Sequence, residues 1–155
     1  MAYATDTKVS IARTRAEIDA LLEKAGATHI GSMTEPDAAL VLFVLEGRRI
    51  AFRLPLPARD EFSVGKVNQH QERYRSEPEI TKAWEKACRS RWRALLLCIR
   101  AKLESVEAGI ETVDEAFLAH VMTPDGRRFA EVAVPAITQA YADGGVPRLT
   151  FGGGS

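Results

Sequence analysis

SEPEITKAWEKACRSRWRALLLCIRAKLESVEAG, residues 76–109, is the longest stretch of the chain with one unbroken helical period. Trp84, Cys88, Trp92, Leu95, Ile99, Leu103 and Val106 recur every three or four residues, so a single α-helix gathers them on one face. Ser76 and Glu79 have capping-box spacing, Pro78 suits a first helical turn, and Gly109 is a natural stop. A second set shares a narrow stripe on the same helix: Lys86, Arg89, Arg93 and Arg100 follow Lys82 at offsets of 4, 7, 11 and 18 residues. The reading is one long helix, packed on one side and cationic on another.

Working outward, residues 58–78 are polar, contain glycine and lack a period, which predicts a long mobile or functional loop. Before it, residues 38–45 are rich in Val, Leu and Phe, Glu46-Gly47-Arg48 is a turn, and residues 49–56 alternate Ile50, Phe52 and Leu54 against Arg49, Ala51 and Arg53. This is a hairpin, ended by Pro55 and Pro57. Residues 27–33 are a further strand. Val9, Ile11, Ile18, Leu21 and Leu22 mark a first helix capped by Thr7 or Ser10 and stopped at Gly26. After the long helix, Thr112 with Glu115 caps a short helix to about His120, and Pro124-Asp125-Gly126 turns a small hairpin between 119–122 and 127–132. Residues 135–142 are a last helix. The order predicts one α+β domain over residues 1–151, with about three antiparallel strands packed on helices, and a flexible tail at 152–155.

With 155 residues, 46% hydrophobic and 27% charged, the chain has the makeup of an ordinary globular domain. Its 21 basic and 21 acidic residues cancel, which excludes the bulk cationic character of strong nonspecific nucleic-acid binders. The cancellation hides a bipolar chain. Seven basic residues between Lys82 and Lys102 face only Glu85, whereas eight acids from Glu104 to Asp143 face only Arg127 and Arg128. Cys88 and Cys98 stand about 15 Å apart along the helix, too far to pair, and are expected to be small buried groups. His29, His70 and His120 are scattered, so no metal and no cofactor are expected. No signal peptide or spanning segment is legible, and a cytoplasmic protein without membrane contact is expected.

Lys82, Lys86, Arg89, Arg93 and Arg100 form the first candidate site, for the backbone of a nucleic acid. Arg48, Arg49 and Arg53, on and beside the hairpin turn, form the second, with Arg59 beyond them and Lys66, Arg73, Tyr74 and Arg75 in the polar segment. Both sets also have a plainer reading, as cations that solvate a helix face and an edge strand. Arg91 and Lys102 point off the stripe and are candidates for pairs with the acidic C-terminal third. Trp84 and Trp92 are expected to anchor the core. Only His70 is a candidate for proton transfer; Asp60, Glu61 and Lys66 faintly echo metal-dependent nucleases. There is no nucleophile-and-base set and no phosphate-binding glycine loop, so no catalytic residue is assigned and an enzyme is not expected.

The phrases TDTKVSIARTRAEIDALLEKAGA (5–27), RWRALLLCIRAKLESVEAGIETVDEAFLAHVMTPDGR (91–127) and PAITQAYADGGVPRL (135–149) are similar to a family of small bacteriophage and prophage proteins. The resemblance implies a cytoplasmic protein of an infected or lysogenic bacterium. It supplies no activity and no site residue. Two functions are therefore expected: a non-enzymatic accessory protein on a nucleic-acid backbone, or a module that binds a host or phage protein or forms a homo-oligomer through its own polarity.

Overall fold

Ser10 opens the first helix by accepting a hydrogen bond from the Arg13 N–H at 3.2 Å. In the computed structural model, which describes residues 8–150, this helix, α1, spans Ile11–Lys24 and buries Thr14, Ile18 and Leu22. The expected tail at 152–155 lies outside the described residues. Gly26, at φ 87°, turns the chain into β1 (Thr28–Thr34).

β2 (Ala38–Leu45) and β3 (Arg48–Pro55) complete an antiparallel sheet of order β1-β2-β3. The connection is the two residues Glu46 and Gly47, at φ 48° and 75°, the left-handed pair that matches strand twist in a tight hairpin; Arg48 already pairs with Leu45. The register sets Ala39 opposite Leu54, Val41 opposite Phe52 and Phe43 opposite Ile50, and all six are buried on one face. Ala51 is buried as well, although it alternates with them.

The long helix is continuous. α2 spans Glu77–Glu107, 31 residues or about 46 Å, and lays Trp92, Leu95, Leu96 and Ile99 on Ile18 and Leu22 of α1 and on the inner sheet face. Phe117, wholly buried, closes the core edge-on to Phe43 and Phe52 at 5.9 and 6.1 Å. It follows the short helix α3 (Val113–Ala116), where Thr112 and Glu115 make the expected reciprocal cap. A 3-10 turn, Leu118–His120, leads to the last helix, α4 (Phe129–Asp143). The architecture is α+β, as the sequence predicts. No helix of the described residues is long and apolar enough to cross a membrane.

Several local expectations are corrected. Residues 58–78 are structured: a 3-10 turn (Arg59–Phe62) precedes a two-stranded sheet of β4 (Val64–Asn68) and β5 (Gln71–Tyr74). The Ser76 hydroxyl donates to the Glu79 carboxylate at 3.0 Å, with no hydrogen bond from it to the helix backbone. α4 begins six residues before Pro135, because Glu131 reaches back to the Arg128 N–H at 2.7 Å and starts the helix there. The expected second hairpin shrinks to isolated bridges, Met122 to Arg128 and Val121 to Ile50. Cys98 is exposed, while Cys88 is buried as expected. Trp84 is only half-buried and stands outside the core that Trp92 joins.

Candidate functional site

The five cations of the helix stripe do not share one environment. Lys82, Lys86 and Arg100 are exposed. Arg93 is 15% exposed and donates to Glu17 of α1 at 2.7 Å, because the stripe borders the groove into which α1 packs. Arg89 is partly buried on the same border, and its Nε is shut off from solvent without a hydrogen-bond partner. Arg100 sits in a shallow groove with Lys24, Glu46, Glu104 and Glu107, so acids surround the C-terminal end of the stripe. Lys102 stays within the molecule but on a backbone carbonyl, that of Ala116 at 2.8 Å, and Arg91 is exposed.

The hairpin cations are mostly engaged. Arg48 grips Asp114 through two hydrogen bonds, of 2.8 and 3.2 Å, and that contact raises its pKa. Arg53 lies 3.4 Å from Asp37, and Arg49 is exposed. In the polar segment Arg59 of the 3-10 turn pairs with Glu77 at 2.6 Å and Arg73 of β5 with Glu79 at 2.7 Å, both on the acidic first turn of α2. Arg73 and Ser76 together hold the Glu79 carboxyl below its ordinary range. Arg75 donates to the Phe62 carbonyl at 3.0 Å. Tyr74, Lys66 and His70 remain exposed. The two cationic sets are therefore separate features, each partly neutralised by carboxylates of the chain.

A cleft that the sequence reading misses opens where the start of α1, the ends of β1 and β3, and α2 meet. It has a volume of about 520 Å³ and is walled by Ile11, Leu56, Pro57, Trp84, Trp92 and Arg89. Trp84 is fixed by its indole N–H, which donates to the Pro57 carbonyl at 2.8 Å. Arg15 lies over the Trp92 ring at 5.8 Å and donates to the Ser32 hydroxyl. Glu35 and Glu85 stand on the same wall. Helical spacing places Trp84 and Trp92 on one face, but only the chain's return after Pro55 reveals that Trp84 faces a gap.

The other missed feature is the exposed face of α4, a helix that the sequence reading begins only at residue 135. Val132 and Ala140 are its buried residues, and its main packing is against the Leu118–His120 turn. Val134, Ile137 and Tyr141, at spacings of three and four, form a stripe turned away from Val132, and they are 57%, 45% and 89% exposed. Glu131 and Asp143 are the helix's charged residues. Starting the helix at Pro135 hides this pattern, because the cap that begins it lies upstream.

His120 is enclosed: its ring stacks on Phe52 at 4.0 Å, its Nδ1 is buried without a partner, and burial, aided by Lys102 and Arg128, pushes its pKa down to about 4. Asp60, Glu61 and Lys66 build no centre, and no three His, Cys, Asp or Glu side chains are grouped as a metal requires among the described residues. Comparison of the chain with family models, with curated proteins and with solved structures finds no match.

Proposed function

We propose that this protein is an interaction module that pairs with a second copy of itself through α4. The observation that carries the reading is the exposed stripe Val134, Ile137 and Tyr141 on a helix whose other face already buries Val132 and Ala140. Large apolar side chains grouped on one exposed helix face mark an interaction surface. Two such helices crossed antiparallel lay stripe on stripe over about 22 Å, an isologous contact in which each copy offers the same residues.

Light scattering across a concentration series tests this. The full chain runs as a dimer, and Ile137→Asp and Val134→Asp run as monomers with unchanged helix content. A wild-type monomer at every concentration up to hundreds of micromolar ends the reading.

A second reading has its own support, the exposure of Lys82, Lys86 and Arg100 along one continuous helix. In it the helix lies along a nucleic-acid backbone as an accessory, non-enzymatic contact of the paired or single chain. Gel shifts at rising salt with single-stranded DNA, duplex DNA and RNA test it, and no shift at low salt removes it.

A further inference from the structure

Arg89 is the most unusual cation in the molecule. It is partly buried in the wall of the α1–α2 cleft, its Nε has lost water without gaining a hydrogen bond, and no carboxylate among the described residues lies within ion-pair distance. A guanidinium N–H in that state leaves a charge-assisted hydrogen bond unmade. Its neighbour Arg15 differs, since it is committed to the Trp92 face and to Ser32. The rest of the wall is largely apolar: Ile11, Leu56, Pro57 and two indoles, one pinned by Pro57 and one packed in the core. A volume of about 520 Å³ is within the range of small-molecule sites.

We propose that this cleft binds a small amphiphilic monocarboxylate, its hydrocarbon or aromatic body between Trp84, Trp92 and Leu56 and its carboxylate on Arg89. The chemistry fixes each part of that class. Flat indole walls favour a ring or chain that buries apolar surface. Arg89 lines the cleft with no carboxylate partner among the described residues, and a carboxylate is the group that meets a guanidinium fork. Glu35 and Glu85 on the same wall repel a second negative charge, so phosphates and dicarboxylates fit poorly. The site is independent of α4, whose stripe belongs to a different element.

The chain has two tryptophans, and both wall the cleft, so their indole N–H resonances report on this site. In nitrogen-15 spectra of the full-length protein, 3-phenylpropionate at millimolar concentration shifts both indole signals saturably. The neutral 3-phenylpropan-1-ol, equal in length, binds about tenfold more weakly, the loss expected for one charge-assisted hydrogen bond. Arg89→Gln brings the acid down to the affinity of the alcohol. Equal binding of acid and alcohol to the wild-type protein, indole signals unmoved by either, or an Arg89→Gln protein that keeps the preference for the acid each overturns the assignment. The wild-type comparison decides the matter even if the variant fails to fold.

Discussion

His120 and Thr14 show what single buried polar atoms contribute to this fold. The unfolded chain protonates His120 near pH 6.5, whereas the folded chain, with the ring stacked on Phe52 and shielded from water, does so only near 4. Its folded pKa is depressed and its charged form is disfavoured, so stability is complete above about pH 6.5 and declines as the pH falls toward 4. The ring keeps some solvent contact, and the loss expected is about 1–3 kcal/mol. Denaturant melts across that window show the decline in the wild-type protein and a flatter curve in His120→Phe; an identical decline in both refutes the assignment. Thr14 is 0% exposed and its hydroxyl has no partner, so it carries a desolvation cost without a bond to offset it. Thr14→Val keeps the shape and is expected to raise stability by about 1 kcal/mol in the same melts. Neither feature is legible in the sequence, where His120 is only a residue near a helix end and Thr14 one more position on α1. Enclosure comes from the return of distant segments, not from neighbours in the chain.

At the scale of elements, legibility follows the period of the apolar residues. α1, α2 and the β2–β3 hairpin each carry a clean helical or alternating pattern with a turn or cap at its end, and the structure has them within a residue or two of the expected bounds. β4 and β5 carry no such pattern. Apart from buried Gly65 their residues are exposed, and the segment meets α2 through exposed pairs, Arg59 of the 3-10 turn on Glu77 and Arg73 of β5 on Glu79. α4 is hidden for a different reason, since proline is favoured in a first helical turn and Pro135 looks like a beginning when it is an interior residue lacking one N–H. The helix stripe illustrates a third limit. Spacing gives the face on which Arg93 projects, but not that α1 lies against that face and supplies Glu17. This pair ties the two helices together where both groups are largely shielded, 15% and 32% exposed. A double-mutant cycle with Glu17→Ala and Arg93→Ala is expected to give a coupling of about 1–2 kcal/mol, against a few tenths for the exposed Arg53–Asp37 pair. Equal couplings would mean that α1 docks by apolar packing alone.

Across the whole molecule, the balance of 21 basic and 21 acidic residues acquires a geometry. Arg48 is clasped by Asp114, Arg53 by Asp37 and Arg93 by Glu17, so the basic middle of the chain is partly neutralised by acids from elements before and after it. A count of five phosphate contacts on α2 is therefore too high. Lys82, Lys86 and Arg100 are the stripe cations on the surface, and each phosphate they neutralise on duplex DNA adds about 0.9 to the dependence of log affinity on log salt. If all three neutralise a phosphate the slope is about −3 for one chain, and it is best measured on Ile137→Asp so that self-association does not change the number of chains per duplex. Lys82→Glu with Lys86→Glu should bring the slope to about −1 or remove binding altogether, while Arg93→Gln should leave it unchanged because that guanidinium is already spent on Glu17. A slope near −4.5 that falls by one unit in Arg93→Gln would mean that α1 gives up Glu17 when a polyanion arrives, and the α1–α2 groove would then have to open to bind it.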